Sequence, residues 1–390
     1  MANTSVLNIL RTIKDRGSIS RTDLQQVTGL SWGTITNTTR ELLERNFIRE
    51  EGATASKAGR KPMRLALNPA RHSLIGVEIT PELVRCLAMN LAGDTLWYET
   101  APVSGSDEPE AILDHTADIV RRGLSAVSAR LCLGIGVAVP GTLDVKTGAV
   151  VRAPRLPKWS NVPVRDRLQA KLNSAIRIER IANCLAIAER WFGAAGDAEE
   201  ILCVKIGEGV GMGVLINGEI FRGGQGMAAE FGHITIDPDG PACACGDRGC
   251  VEAYCSAPAI LHHARSLAAG PDAAATVKSV EELAALAGNN NAAALATFER
   301  MGKVLGIGVA NAIDLFNPAL VVLSGKSAAA EQFFMGALQK QVETHAWPHS
   351  SHKLLVSRLG ERATAMGACG MILQAAFEHD AAARAESMTA

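Results

Sequence analysis

The fold class this sequence predicts is an α/β body preceded by a small winged helix-turn-helix, and three observations predict it. Apolar residues recur at helical spacing over the first fifty positions, then give way to short strand-like runs alternating with helices. The chain carries 37 Gly and 47% hydrophobic residues, which suits tight strand-to-helix turns better than a disordered or fibrous chain. The net charge of -1 conceals an asymmetry: positions 1–70 hold 11 Lys/Arg against 6 Asp/Glu, and the remainder 28 against 34. A basic front on an acidic body implies that only the front meets a polyanion.

A length of 390 residues exceeds what one hydrophobic core organises, so two or three domains are expected. No stretch of about 18 uncharged apolar residues is present, and MANTSVLNILRTIKDRG lacks the basic-apolar-small order of a signal peptide. A cytoplasmic location with no membrane partner is therefore expected. Nine Cys, an odd number, with several clustered at metal-like spacing, also argue against a disulfide framework.

In the front module, Val6, Leu7, Ile9, Leu10 and Ile13 mark a first helix that Gly17 stops. Ser20 caps a short second helix that carries Leu24 and Val27 on one face and closes at Gly29. Ser31 caps a third, whose buried stripe is Ile35, Leu42, Leu43 and Phe47 and whose outward residues are Trp32, Thr34, Thr36, Asn37, Thr38 and Arg40. Short helix, tight turn and longer helix is the helix-turn-helix order, and outward Thr, Asn and Arg are side chains that bond base edges and phosphates. Two strands then flank a flexible loop from Gly52 to Gly59, with Arg60 and Lys61 as a basic wing tip suited to phosphates or a narrow minor groove. Ser31, these outward side chains, Arg60 and Lys61 are the expected DNA contacts.

The body opens with strands Ser73–Ile79, Val84–Asn90 and Thr95–Tyr98, a meander, followed by a helix from Pro109 to about Val127 and a strand Leu131–Val139. A second lobe begins with a helix Asn183–Phe192 and a strand Ile201–Ile206, turns at a Gly-rich hairpin Gly207–Gly213, and resumes at Val214. Later a helix Met301–Phe316 leads to the apolar strand Ala319–Leu323. The expected domains are 1–70, then 71–182 completed by a helix within 366–390, and 183–365.

The sharpest chemical signal is His233 with Cys243, Cys245 and Cys250. Three thiolates and one imidazole form a closed set of four for tetrahedral zinc, structural rather than catalytic because no position is left for water. Gly246 and Gly249 let the short loop fold back so that the sulfurs converge. The remaining cysteines are expected to be ordinary core residues.

These residues resemble the ROK family, which groups bacterial sugar repressors with sugar kinases, over nearly the whole chain. The resemblance rests on Glu230-Phe231-Gly232-His233 and on Cys243-Ala244-Cys245-Gly246-Asp247-Arg248-Gly249-Cys250-Val251-Glu252, with Val139-Pro140-Gly141, Ala153-Pro154, Trp159 and Asn317-Pro318 in order. It implies a two-lobed actin/sugar-kinase-like (ribonuclease H-like) body, homo-oligomers, and sugar hydroxyls bound by Glu230, His233 and Glu252 in a cleft between the lobes. Carboxylates accept hydrogen bonds from vicinal hydroxyls, and a zinc-held imidazole is fixed in one tautomer.

The kinase chemistry of that family looks broken here. Its first phosphate loop, DxGGT, corresponds to Glu78-Ile79-Thr80-Pro81-Glu82, which lacks both glycines and adds a negative charge. Its second loop keeps its glycines but has Glu208 where the family has Thr, and the Asn-Asp pair that supplies the catalytic base falls on Arg180-Ile181. Arg155 stands where the family shows a sugar-binding Asn. Arg155 and Arg180 facing the cleft would suit an anionic sugar derivative; internal salt bridges are the alternative use for them. The expectation is a ligand-responsive regulator with no kinase activity. It would bind a double-stranded operator as a homodimer or higher oligomer and repress carbohydrate-utilisation genes until a sugar or sugar derivative binds. The rival readings are an active ATP-dependent sugar kinase with an appended DNA-binding domain, and a regulator controlled by a protein partner.

Overall fold

The computed structural model describes residues 2–52, 63–268, 273–348 and 352–388. The chain divides into two compact units, one of Met1–Cys184 with Thr364–Ala390 and one of Leu185–Ala363.

The first unit opens with α1 (Ala2–Arg16), β1 (Ser18–Ser20), α2 (Arg21–Thr28), α3 (Trp32–Glu44), β2 (Ile48–Glu51) and β3 (Arg64–Leu67). The caps lie where the sequence places them: Ser20 Oγ accepts from Asp23 N at 3.1 Å, and Ser31 Oγ accepts from Thr34 N at 3.2 Å. Gly29 ends α2 in the left-handed conformation at φ 68°. Ile9, Leu10, Ile13, Leu24, Ile35 and Leu42 meet in the core of this module, while Val27 stays exposed. The strands pair in the order β1-β3-β2, all antiparallel. β1 was not expected: three residues between two helices carry too little periodicity to read as a strand, and pairing with β3 alone defines it.

The body of this unit is a five-stranded sheet, formed by β4 (His72–Ile79), β5 (Leu83–Met89), β6 (Thr95–Pro102), β7 (Leu131–Val139) and, further on, β11 (Ile176–Arg180). Its order is β11-β7-β4-β5-β6, with the expected antiparallel meander and parallel pairing of β7 to β4 and β11. The helix α4 (Pro109–Ala126) packs on the sheet through Ile112, Leu113, Ile119 and Val120. A small sheet of β8 (Thr142–Asp144), β9 (Ala149–Arg152) and β10 (Ser160–Val162) buries Trp159, and α5 (Val164–Leu172) leads to β11.

The second unit takes over within α6 (Ile181–Phe192). Its sheet holds β12 (Ile201–Ile206), β13 (Val210–Ile216), β14 (Glu219–Ile220), β15 (Leu320–Ser324) and β16 (Lys353–Val356) in the order β14-β13-β12-β15-β16. The Gly-rich segment read as one hairpin turn is a turn only at 207–209. Gly211 and Gly213 lie in β13 opposite Lys205 and Cys203, because glycine permits a turn without imposing one and the ladder to β12 prevails. Helices α7 (Val251–Cys255), α8 (Ala257–Leu267), α9 (Val280–Gly288), α10 (Ala292–Phe316) and α11 (Glu331–His345) cover the sheet. α10 starts nine residues before the expected Met301, at a cap where Asn291 Oδ1 accepts from Ala294 N at 2.9 Å. Among the described residues, no helix is long and apolar enough to cross a membrane.

The last helix, α12 (Ala363–Met388), returns to the first unit. Its backbone lies directly on the sheet: a Cβ added at Gly76 would collide with the Ala365 carbonyl oxygen, and one at Gly136 with that of Ala368. Further along, Phe377 meets Phe47, with ring centroids 4.8 Å apart, and Phe47 stacks on His72 at 4.4 Å. Phe47 thus belongs not to α3 but to the turn after it, where it fastens the N-terminal three-helix module to the body. The Arg45 guanidinium lies 5.1 Å from both the Phe47 and Phe377 centroids and donates to Ala376 O at 3.3 Å. Replacing Gly136 by Ala forces a backbone shift in α12 rather than a side-chain adjustment. That costs about 1–3 kcal/mol, and calorimetry is expected to show a melting temperature lowered by several degrees relative to the native chain.

Candidate functional site

Within the reading module, α3 presents Trp32, Thr36, Asn37 and Arg40 to solvent, with Ser31 exposed at its cap and Thr34 half-buried. Arg40 Nη2 donates to Asn37 Oδ1 at 3.2 Å, so the two polar groups are held side by side on the outward face. Thr38 corrects the expectation: it is 9% exposed and packs inward. It stands three residues after Ile35 and four before Leu42, so helical spacing places it on their buried face. Thr39, fully buried, accepts from Arg21 Nε at 3.0 Å, and Arg21 also pairs with Glu50 at 3.3 Å. This link between α2, α3 and β2 has no sequence signature, since its partners lie 18 and 29 residues apart. Arg60 and Lys61 lie outside the described residues.

In the second unit, the segment from Glu230 to Glu252 forms a compact loop. A 3-10 turn Phe231–His233 follows Glu230, which is exposed. Thr235 bridges antiparallel to Cys250, and Val251 N donates to Ile234 O at 3.1 Å, so the two ends of the loop run together. Gly246 and Gly249 take positive φ of 104° and 66°, and a Cβ at Gly249 would overlap the Asp237 carbonyl. This close approach brings the ligand atoms of His233, Cys243, Cys245 and Cys250 within 4.8 Å of one another. His233 Nδ1 lies 3.7 Å from Cys243 Sγ, and Cys245 Sγ lies 3.7 Å from Cys250 Sγ. Tetrahedral metal–sulfur bonds of about 2.3 Å require ligand separations of about 3.8 Å, so the donor set fits a metal ion of that kind. Burial, followed by the side chains of Cys243 and Cys245, pushes the Cys250 thiol up to about 12, so a metal binding there displaces a proton.

Glu252 follows two residues after Cys250 on α7 and is half-buried. Its Oε2 accepts from Val210 N at 2.8 Å and packs against Gly209, fixing the carboxylate against the glycine turn. Glu230, His233 and Glu252 are therefore carried on one loop and the helix that ends it.

The positions that differ from the kinase pattern are occupied by engaged or inert groups. Glu78 forms a buried ion pair with Arg85, its register partner on β5, at 2.5 Å. Glu82 pairs with Arg155 at 2.9 Å on the surface. Arg180 is 8% exposed, and Ile181 next to it is equally buried. Beside them Glu179 Oε1 accepts from Arg180 N at 2.9 Å and from Asn183 Nδ2 at 2.8 Å. Arg85, Glu179 and Asn183 were not singled out from sequence; the pairing of Arg85 needed the β4–β5 register, which a seven-residue separation across a tight turn encodes only loosely.

Comparison with known proteins fits this architecture. The ROK family model matches residues 74–375. The chain belongs to the ROK family. A MarR family model matches residues 3–52, the helix-turn-helix segment. The xylose repressor of Caldicellulosiruptor bescii is 31% identical, covering 94% of this chain and 94% of that protein. The xylose repressor of Bacillus subtilis is 30% identical with the same coverage of both. A solved ROK family transcriptional regulator, described as a homologue of the Escherichia coli MLC protein, superposes with a TM-score of 0.80 over 96% of this chain and 97% of that one, at 24% identity, and so shares the fold. This ROK chain is a DNA-binding transcription regulator of the repressor branch and not a kinase, since these xylose repressors match it over 94% of both chains, the helix-turn-helix segment included.

Replacing Arg40 by Ala is expected to weaken operator binding by about 1–3 kcal/mol, as for loss of one specific or phosphate contact. Thr38→Val is expected to leave affinity within about threefold because that side chain faces the core; fluorescence anisotropy with a labelled duplex at fixed salt checks both.

Proposed function

We propose that this regulator represses carbohydrate-utilisation genes and is released from its operator by a sugar bound at Glu230, His233 and Glu252. The observation that carries the reading is the convergence of His233 with three cysteines within 4.8 Å, immediately beside the two carboxylates in sequence. Zinc in that set would neutralise the thiolates and hold the imidazole in one orientation. With Nδ1 directed at Cys243, Nε2 of the exposed ring is the atom left for a sugar hydroxyl. The fixed carboxylate of Glu252 and the exposed one of Glu230 supply acceptors for neighbouring hydroxyls.

The proposed sugar is neutral rather than anionic. Arg155 is engaged by Glu82, which supports the salt-bridge use of that arginine over an anion-binding one. The absence of ATP chemistry follows from the residues: Ile181 cannot accept a proton, and the buried Glu78–Arg85 pair occupies the start of the first phosphate loop. We further propose a homodimer that presents two recognition helices to a two-fold symmetric operator, with sugar binding shifting the population toward an arrangement that no longer fits it.

Thermal shift against neutral sugars, their phosphates and their acids tests the reading. A neutral sugar is expected to raise the melting temperature by several degrees and lower operator affinity. Glu230→Gln is expected to weaken that sugar by about 10–100-fold, the worth of a hydrogen bond to a charged group. ATP-dependent phosphorylation of any sugar by the purified chain would overturn it, as would tighter binding of the anionic forms.

A further inference from the structure

Behind the metal loop lies a chain of polar contacts that none of the ligands explains. Asp237, four residues after His233, is its hub. The Asp237 Oδ1 atom accepts from Asp239 N at 3.1 Å and its carbonyl oxygen accepts from Gly240 N at 2.9 Å, closing a turn. The same carbonyl occupies the space a side chain would need at Gly249, directly before Cys250. Asp237 Oδ2 accepts from the hydroxyl of Tyr254 at 2.9 Å. Tyr254 sits on α7, four residues after Cys250, and is 9% exposed.

The far face of Tyr254 is also held. The Arg300 guanidinium on α10 stands 4.7 Å from the ring centroid, within cation–π range. Its Nη1 lies 3.1 Å from His263 Nδ1 on α8. A guanidinium only donates, so Nδ1 accepts and the His263 ring is neutral. Burial first, then the charges of Arg300 and His262, lower the pKa of His263, which agrees with that assignment. Residues from α7, α8 and α10 thus line up behind one tyrosine, and its hydroxyl ties the chain just after His233 to the helix that Cys250 caps.

Resting on the zinc reading above, we infer that Tyr254, Asp237 and Arg300 form a clamp that sets the spacing between His233 and Cys250 and so determines how tightly the loop holds its metal. They are positioning residues, since none of the three belongs to the set of converging ligand atoms. Outer groups that orient metal ligands typically change affinity by about 10–100-fold when removed. Tyr254→Phe keeps the ring beneath Arg300 and deletes only the donor to Asp237. Asp237→Asn keeps an acceptor for the hydroxyl, and Arg300→Met keeps bulk without charge.

The test uses the full chain and zinc alone, with apparent affinity read by competition against a chromophoric chelator at fixed pH. The native chain is expected to hold one zinc, and Cys250→Ser to lose it. Tyr254→Phe is expected to bind zinc about 10–100-fold more weakly, Arg300→Met to be weakened in the same sense, and Asp237→Asn to stay within about threefold of native. Melting with and without zinc supplies a second readout: a clamp lowers the increment that zinc adds, whereas a packing role lowers the zinc-free value and leaves the increment unchanged. Native affinity in Tyr254→Phe would overturn the clamp and leave the zinc reading standing. A native chain that takes up no zinc would overturn both.

Discussion

The first unit depends on the close approach of α12 to the central strands β4 and β7. Two glycines, Gly76 and Gly136, put no side chain of their own between sheet and helix, and the carbonyls of Ala365 and Ala368 take that space. At that separation dispersion contacts are dense and any added atom must displace backbone. The same helix carries Phe377 to Phe47, so the element that closes the sheet also seats the DNA-reading module. His72, the first residue of β4, is sandwiched into this junction: it is 2% exposed, stacks on Phe47, and its Nδ1 has no partner among the described residues. Burial, reinforced by the charges of Arg71 and Arg45, lowers its pKa, so the ring at the junction is neutral.

The second unit is organised by a different economy. The loop from Glu230 to Glu252 contains almost no regular structure, and its shape comes from two close backbone approaches and from hydrogen bonds between its ends. Asp237 against Gly249 and Thr235 against Cys250 bring residues 17 apart, His233 and Cys250, into one cluster of converging donor atoms. The carboxylate of Glu252 is fixed by Val210 N instead of by a cation. A carboxylate held in this way by the backbone of a neighbouring strand is fixed in position with little freedom left to lose.

Much of this was legible in the sequence because the signals were local. Ser20, Gly29 and Ser31 announce helix ends through chemistry confined to four residues, and the structure places caps at each. The β4–β5–β6 meander and the strand Leu131–Val139 follow from apolar runs bounded by turns. The Cys and His spacing placed four candidate ligands in one loop, and the four converge. What escaped were pairings across the chain: β1 exists only through β3, Arg85 meets Glu78 only through strand register, and Tyr254 finds Asp237 through a 17-residue loop. Thr38 was misplaced for another reason. Its polarity suggested an outward side chain, but its position in the 3.6-residue period, between Ile35 and Leu42, decides burial.

The seat of Phe47 has a consequence for how the two parts of the first unit are joined. Its ring is met by His72 of β4 and by Phe377 of α12, so two segments far apart in sequence share one aromatic anchor. A substitution that removes the Phe377 ring would bare part of Phe47 and leave the His72 stack to hold that side of the junction.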